Sequence, residues 1–438
     1  MGKKLLSICF VAAVLLMSAS LALGMLFAGP AKAGANEVLA AAPSLRDNQG
    51  KLNGKVLSQT AEWFADRFFL RQELISANNY LSAHVFGTSD ASDVLLGAEG
   101  WLYYGQTLAD YTGTAPMTDR EIFSAAKNLL LMQEYCAEGD RQFLFMIAPN
   151  KNSLYPEHMP DYPAVELRNA QRLFARLDAM DVKYLDLFTA FAGEQETLYF
   201  AHDSHWNAKG AALGADLICR AFGKTGDYYG ADFSGTEVHA GDLYEMLYPA
   251  LRDTETAPVY GGEFTYEFGS GGTKPDSITI NTVSPREGSL LAYRDSFGNS
   301  LYPYLADSFG RARFSRSVNY DLTQDGEFVL IELVERNLRY LITNVPVMEA
   351  PLRQIALPAE SAGTGAVPTY STTGPEGMML ARGVLPRQTD ADSPVYLVCE
   401  GRVYEAFCLG ENGYAAYVPA EAAAIVCVIG GETLMFAI

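Results

Sequence analysis

The sequence predicts an α/β protein: a parallel sheet sandwiched by helices, with an apolar segment at the N-terminus and a small all-β module at the C-terminus. Two observations carry this reading. Apolar runs at 142–148, 182–187, 290–293 and 328–334 alternate with amphipathic stretches at 118–137, 164–180, 208–222 and 298–307. Runs this short and this apolar suit strands buried on both faces, the condition of a parallel sheet covered by helices. Beyond residue 376 the pattern changes to brief runs at 395–399, 403–408, 415–418 and 424–429. Turn residues such as Glu411-Asn412-Gly413 separate them, which predicts strands alone.

Taken in order, Lys3-Lys4 precede an uncharged apolar stretch over 5–29, and Ala31-Lys32-Ala33 follows with a small-x-small pattern. Residues 1–34 are therefore read as a signal peptide or a membrane anchor, with the rest of the chain outside the cytoplasm. The small and polar residues 35–55 predict a linker. A helical period over 58–84 opens a larger domain, 56–345. Within it, Gly97-Ala98-Glu99-Gly100 joins two apolar runs as a β-hairpin. Thr118 with Glu121 forms a capping box, Pro149 stops the first strand, and Asn207 caps a helix. Residues 223–287 are rich in Gly, Tyr, Thr and Pro and predict an irregular, partly β insertion over the site. Residues 346–375 predict a second linker, and 376–438 the β module.

A formal charge of −20 excludes nucleic-acid partners, which require a basic surface. Cys9 lies in the N-terminal segment; Cys136 and Cys219 fall on predicted helices as buried thiols. Cys399, Cys408 and Cys427 cluster near the C-terminus and allow one disulfide. No C-x-x-C is present, so zinc-ribbon and thioredoxin-like chemistry are not suggested.

Two segments carry chemistry. Ala-His-Asp-Ser-His-Trp-Asn (201–207) sets Asp203 two residues before His205, and Tyr-Arg-Asp-Ser-Phe-Gly-Asn (293–299) sets Ser296 where an apolar run passes through a Phe-Gly turn into a helix. A serine attacks a carbonyl only when a base takes its proton, and the base works best when a carboxylate fixes its tautomer. In an extended segment, residues i and i+2 project to one side, which brings Asp203 and His205 together. Ser296 at a helix start also meets unpaired amides able to hold an oxyanion. The competing structural reading makes Ser296 or Asp295 simply a helix cap. A metal reading of His202, Asp203 and His205 finds no further cluster to complete it.

Together these motifs resemble the SGNH hydrolase superfamily, and within it the alginate O-acetyltransferase-like group that includes the DHHW family. The resemblance runs from about 56 to 345. It rests on Phe64-Ala65-Asp66-Arg67-Phe68, Leu96-Gly97-Ala98-Glu99-Gly100-Trp101-Leu102, Ile147-Ala148-Pro149-Asn150-Lys151, Asp203-Ser204-His205-Trp206, Gly241-Asp242-Leu243, Arg294-Asp295-Ser296-Phe297-Gly298 and Leu333-Val334-Glu335-Arg336. It implies a flavodoxin-like fold, circularly permuted because the serine follows the Asp/His pair. It also implies Ser296 as nucleophile, His205 as base and Asp203 as orienting acid, with no cofactor. Ser204 stands where the family name has histidine; a residue there is expected to point away with little consequence. The usual oxyanion glycine and asparagine have no clear match, and Tyr320 and Arg336 are the candidates near the site.

The resulting expectation is an extracytoplasmic, membrane-tethered or secreted enzyme moving or removing acetyl groups on a polysaccharide. As a transferase it needs a multi-spanning membrane acyltransferase as acetyl donor. The alternative is a non-catalytic glycan-binding or envelope assembly protein, with the β module as a binding surface.

Overall fold

The computed structural model describes residues 2–33, 37–233, 235–372 and 374–438. Helix α1 (Gly2–Ala28) is apolar on every side and exposed, and among the described residues it is the one helix long and apolar enough to cross a membrane. The helical period expected over 58–84 is broken into α2 (Val56–Ala65) and α3 (Arg71–Leu81), the latter prolonged by a π-helical turn, Ser82–Phe86. The break falls at Leu70, whose φ of 62° turns the chain left-handed before α3 and ends helical propagation there. The hairpin pairs Val94–Leu96 with Leu102–Tyr104.

Helix α4 (Asp119–Glu138) starts at Thr118 with both halves of its capping box formed. Helix α5 (Asn169–Ala179) begins later than its sequence period suggests. Pro160 and Pro163 precede it, and the Val165 amide is drawn to the Tyr111 carbonyl, so residues 164–168 stay non-helical. Helix α6 (Ala208–Ala221) is capped by Asn207, whose side chain accepts from the amides of Lys209 and Gly210. Helices α7 (Asp242–Leu247) and α8 (Gly298–Ser308) follow in the second half of the domain.

The main sheet holds seven strands: β1 (Gln142–Ala148), β2 (Tyr184–Asp186), β3 (Glu267–Gly271), β4 (Thr279–Val283), β5 (Ser289–Tyr293), β6 (Arg311–Ser315) and β7 (Phe328–Val334). Their order is β2-β1-β7-β5-β6-β4-β3. The first five run parallel, and the insertion adds β4 and β3 antiparallel at one edge. Side chains alternate across the sheet. Phe143, Phe145, Ile147, Leu291, Val329 and Ile331 pack with Leu129, Met132, Leu173 and Leu177 of α4 and α5. Leu144, Met146, Leu290, Ala292 and Leu330 pack with Leu213, Ile218, Leu301 and Leu305 of α6 and α8. Both faces are thus covered, which is why these runs are apolar at every position rather than at every second one.

Residues from 369 onward form antiparallel strands with a core of Val395, Leu397, Ala406, Cys408, Tyr414 and Ile425. This module is fastened to α4. Asn128, fully buried, donates to the carbonyls of Leu341 and Cys408 and accepts from the Cys408 amide. Residues 346–353, expected in a linker, instead pack. Met348 is buried, the Ala350 amide donates to the Tyr417 carbonyl, and Leu352–Arg353 pairs with the strand Arg402–Leu409. Apolar side chains among the prolines fill the crevice between sheet and module. The disulfide allowed among Cys399, Cys408 and Cys427 is not formed; all three are free and buried in the module.

Candidate active site

Both motif segments leave the carboxyl ends of parallel strands or lie against them, the rim where α/β sheets present their ligands. After β5 the chain turns sharply through Asp295 and Ser296 into α8. Gly298 is required there: a Cβ would lie 2.6 Å from the Arg294 side chain. Asp295 ties the turn to β7. Its amide donates to Glu332 Oε2, while its carboxylate accepts from the amides of Phe297 and Val334 and from Asn337 Nδ2. The Phe297 amide, expected free for an oxyanion, is thus taken by Asp295, and the Asn299 amide donates to the Ser296 carbonyl. Among the described residues the amides of Ser296, in the turn, and of Gly298, the first residue of α8, have no hydrogen-bond acceptor.

Facing this turn is the 200–206 loop. Trp206 is fully buried, edge-on to the Phe297 ring, and its indole N–H donates to the Phe297 carbonyl and Ser300 Oγ. That clamp brings His205 Nε2 to 2.8 Å from Ser296 Oγ, across 91 residues of sequence. His205 Nδ1 lies 2.7 Å from Asp203 Oδ1, which also accepts the His205 amide at 2.9 Å. The Asp–His geometry therefore comes from a tight bend, in which an aspartate side chain accepts the amide two residues on, and not from an extended segment. With Nδ1 donating to Asp203, Nε2 is the acceptor for the serine proton.

The bend also turns Ser204 inward, against the expectation that it points away. Its hydroxyl donates to Asp242 Oδ2 at 2.7 Å and sits 3.3 Å from His205 Nδ1. Asp242 further accepts the Ser204 amide and lies 3.6 Å from His205 Nδ1. The second oxygen of Asp203 accepts from His239 Nε2 at 2.9 Å and from the Asp242 amide at 3.1 Å. Burial works against ionising Asp203, but the hydrogen bonds from His205 and His239 prevail and hold its carboxyl well below the usual range. Burial likewise opposes a charge on His239, yet its bond to Asp203 raises its pKa. Asp242 is pushed up by burial and by the neighbouring Asp203 charge.

Lys151 supports the loop from below. Its ammonium donates to the carbonyls of Phe200, Ala201 and Asp203 at 3.1, 2.9 and 2.7 Å, and lies 5.5 and 5.2 Å from the ring centres of Trp101 and Tyr103. Burial pulls this lysine down to about 7, against the pull of Asp203, Asp242 and Glu255. Glu255 accepts the amides of Ala201 and His202, pinning the start of the bend.

His202, Asp203 and His205 do not converge on one point. His202 turns to Asp253, 2.7 Å away, and groups with Asp253 and Glu255, while Asp203 and His205 group with Asp242. In the first group Asp253 accepts the amides of Gly241, Thr254 and Glu255, and Glu255 accepts those of Ala201 and His202. Carboxylates surrounded by N–H donors suit loop anchoring better than cation binding.

Tyr320 is buried beside Tyr293, and its hydroxyl has no protein partner. It lines a cavity of about 220 Å³ with Ser296, Arg316, Glu332 and Asn337. Arg336 stacks its guanidinium over Phe297 and Tyr104. Both stand near Ser296 without bonding to it. No local pattern marks His239 as part of the site, and Lys151 and Asp242 stand inside motifs that carry the resemblance without a role of their own. The sequence signals for Lys151 are a charge three residues after the apolar run 142–148 and its place at the end of the Ile147–Lys151 motif.

Residues 94–267 match the model of a family described as the SGNH hydrolase-like domain, acetyltransferase AlgX. The resemblance read from the motifs holds over that segment, which contains Asp203 and His205 and ends before Ser296. No curated protein matches the chain. Among solved structures, the chain is similar to a DHHW family protein from Eubacterium siraeum at 17% identity, covering 58% of this chain and 99% of that one, with a TM-score of 0.43. PatB1 of Bacillus cereus, solved with a sulfonyl adduct, is similar at 19% identity over 56% and 95% of the two chains, with a TM-score of 0.43. The O-acetyltransferase domain of Pseudomonas putida AlgJ is similar at 17% identity over 57% and 93%, with a TM-score of 0.38.

Proposed function

We propose that this chain is an extracytoplasmic serine-type acyl-transfer enzyme acting on a polysaccharide. One observation carries the reading: His205 bridges Ser296 Oγ and Asp203 Oδ1 at 2.8 and 2.7 Å, beside a helix start that keeps amide donors free. The acetyltransferase description of the matching family model supports acetyl as the group moved. The order of the parts, Asp203 and His205 ahead of Ser296, supports a circularly permuted arrangement.

In this reading His205 Nε2 takes the Ser296 proton as Oγ bonds to the acetyl carbonyl carbon. Asp203, held ionised, steadies the imidazolium, and the amides of Ser296 and Gly298 receive the oxyanion. The tetrahedral intermediate collapses, the donor oxygen leaves with the proton from His205, and acetyl remains on Ser296. A sugar hydroxyl, or water, then gives its proton to His205 and takes the acetyl, and the proton returns to Ser296. A transferase of this kind takes acetyl from a multi-spanning membrane acyltransferase, consistent with α1 as an anchor.

Hydrolysis of p-nitrophenyl acetate by the purified chain tests this. Ser296→Ala and His205→Ala are each expected to abolish turnover. Equal rates in the wild type and both variants would leave the non-catalytic, glycan-binding alternative standing.

A further inference from the structure

Helix α3 and its π-helical extension present their faces the wrong way round for a helix on the surface of a soluble domain. Leu70, Leu74, Ala77, Leu81 and Val85 recur at spacings of three and four residues and form one stripe. That stripe faces outward: Leu70, Leu74, Leu81 and Val85 are 41%, 47%, 56% and 62% exposed, and Phe86 beside it is 70% exposed. On the inward face the two fully buried side chains are polar, beside the partly covered Ile75 and Ala83. Ser76 and Asn79 are 3% and 5% exposed, and they bond to the backbone after α7, Ser76 Oγ accepting the Ala250 amide and Asn79 Nδ2 donating to the Leu247 carbonyl, both at 2.8 Å. A helix in water gains by burying the leucines and solvating the polar side chains. This one does the reverse.

What covers the stripe is indicated by where it starts. The end of α1 is fastened to the turn that leads into α3. The Ala31 amide donates to the Arg67 carbonyl, Gln72 Nε2 to the Lys32 carbonyl, and Arg71 pairs with Glu37. Gly24 of α1 lies directly against the Phe69 ring, with no room for a Cβ between them. Trp63, in the last turn of α2, carries the Arg67 guanidinium over its ring, a pairing that suits the boundary between headgroups and acyl chains.

We propose that α3 lies along the surface of the lipid bilayer that α1 enters, with Leu70, Leu74, Leu81, Val85 and Phe86 sunk into the headgroup–acyl boundary. The proposal rests on α1 being a retained anchor. It deepens the proposed function by orienting the active site. The inward face of α3 grips the chain at Leu247–Ala250, which continues α7, and Asp242 at the head of α7 holds Ser204 beside His205. The bend carrying the base is thereby held at the membrane face, where an acyl group carried across the bilayer arrives.

The test uses the full chain with Cys9→Ser, the other five cysteines being buried. It is reconstituted in vesicles of phosphatidylethanolamine and phosphatidylglycerol. Nitroxide labels are placed singly at Leu74→Cys, Leu81→Cys and Val85→Cys, with Asp325→Cys, at the far end of the sheet, as the aqueous reference. Retained p-nitrophenyl acetate hydrolysis selects labelled chains that are folded. Stripe labels are expected to collide with oxygen several-fold more, relative to a water-soluble nickel chelate, than the reference label does. Nickel access equal to the reference would overturn the proposal. Spin–spin broadening that disappears on dilution with unlabelled chain would overturn it too, assigning the stripe to a second copy. Flotation reads the anchor separately: a floating chain with wet stripe labels loses the docking alone, and a chain that does not float loses both.

Discussion

The rim around Ser296 and the core of the C-terminal module differ in what they bury. In the module the interior is Val395, Leu397, Ala406, Cys408 and Tyr414, and the one buried charge among its described residues, Glu405, sits at the junction with α4, where Lys127 and Arg353 both pair with it. At the rim Lys151, Asp203, Arg294, Glu332 and Glu335 are all buried. Their partners there are mostly backbone amides and carbonyls, and one oxygen each of Glu332 and Glu335 accepts no hydrogen bond, that of Glu335 lying 3.6 Å from Arg168 Nε. Burying such groups costs stability unless hydrogen bonds and opposite charges offset it. Burial and the charge of Asp295 keep Glu332 well above the usual carboxylate range, and burial raises Glu335 to about 7. The module follows the rule for cores. The rim departs from it where the chemistry is proposed, and perturbed groups of this kind concentrate at functional sites.

The sharpest way to break this contrast is Asp203→Asn. It should lower ester turnover by about 10²–10⁴-fold, because His205 loses the carboxylate that fixes its tautomer. Turnover within a few-fold of wild type, in a variant with an unchanged melting temperature, would remove Asp203 from the chemistry. In the module, Leu397→Ala should destabilise by about 2–5 kcal/mol in a denaturant titration while leaving kcat intact under native conditions. A fall in kcat matching the loss of stability would mean that the two regions are not separable.

Lys151→Met separates a charge effect from a packing effect. In the wild type, between about pH 7 and the ordinary lysine value of 10.5, the unfolded chain holds a proton that the folded chain has released. Stability should therefore rise with pH through that window, and the rise should be absent in Lys151→Met when both are unfolded by urea at several pH values. The smallest effect is expected from His239→Gln, since His239 acts on His205 only through Asp203. A histidine whose folded pKa is raised contributes stability that is complete below 6.5 and lost as pH climbs through the raised value. The stability difference between wild type and His239→Gln should be largest in acid and shrink in alkali. A difference that grows with pH would show that His239 is held neutral.

Much of the architecture was legible because it is written in short-range patterns. Runs such as 142–148 and 328–334 are apolar throughout since the strands are covered on both faces, and Thr118 and Asn207 announce their helices by capping chemistry. Asp203, His205 and Ser296 could be named from two local segments. Their surroundings could not. Asp242 and His239 come from the insertion, and Lys151 from the end of β1; each meets the 200–205 bend across dozens of residues with no shared period. Ser204 turns inward because its segment is a tight bend, where the i, i+2 spacing alone suggests an extended strand. The break at Leu70 was missed because helical periodicity runs through it unchanged.

By itself, then, the sequence determined the alternation of strands and helices, the change to β structure near the C-terminus, the apolar N-terminal helix and the reactive residue types. These depend on interactions between residues a few positions apart, and period and composition record them directly. Only the tertiary structure decided that His205 lies within hydrogen-bond reach of Ser296, that Asp203 serves two histidines, and that α3 turns its leucines outward. Those follow from how whole elements pack. Packing depends on side chains far apart in the sequence meeting in three dimensions, through contacts such as Trp206 on Phe297 and Asn79 on Leu247 that no local pattern encodes.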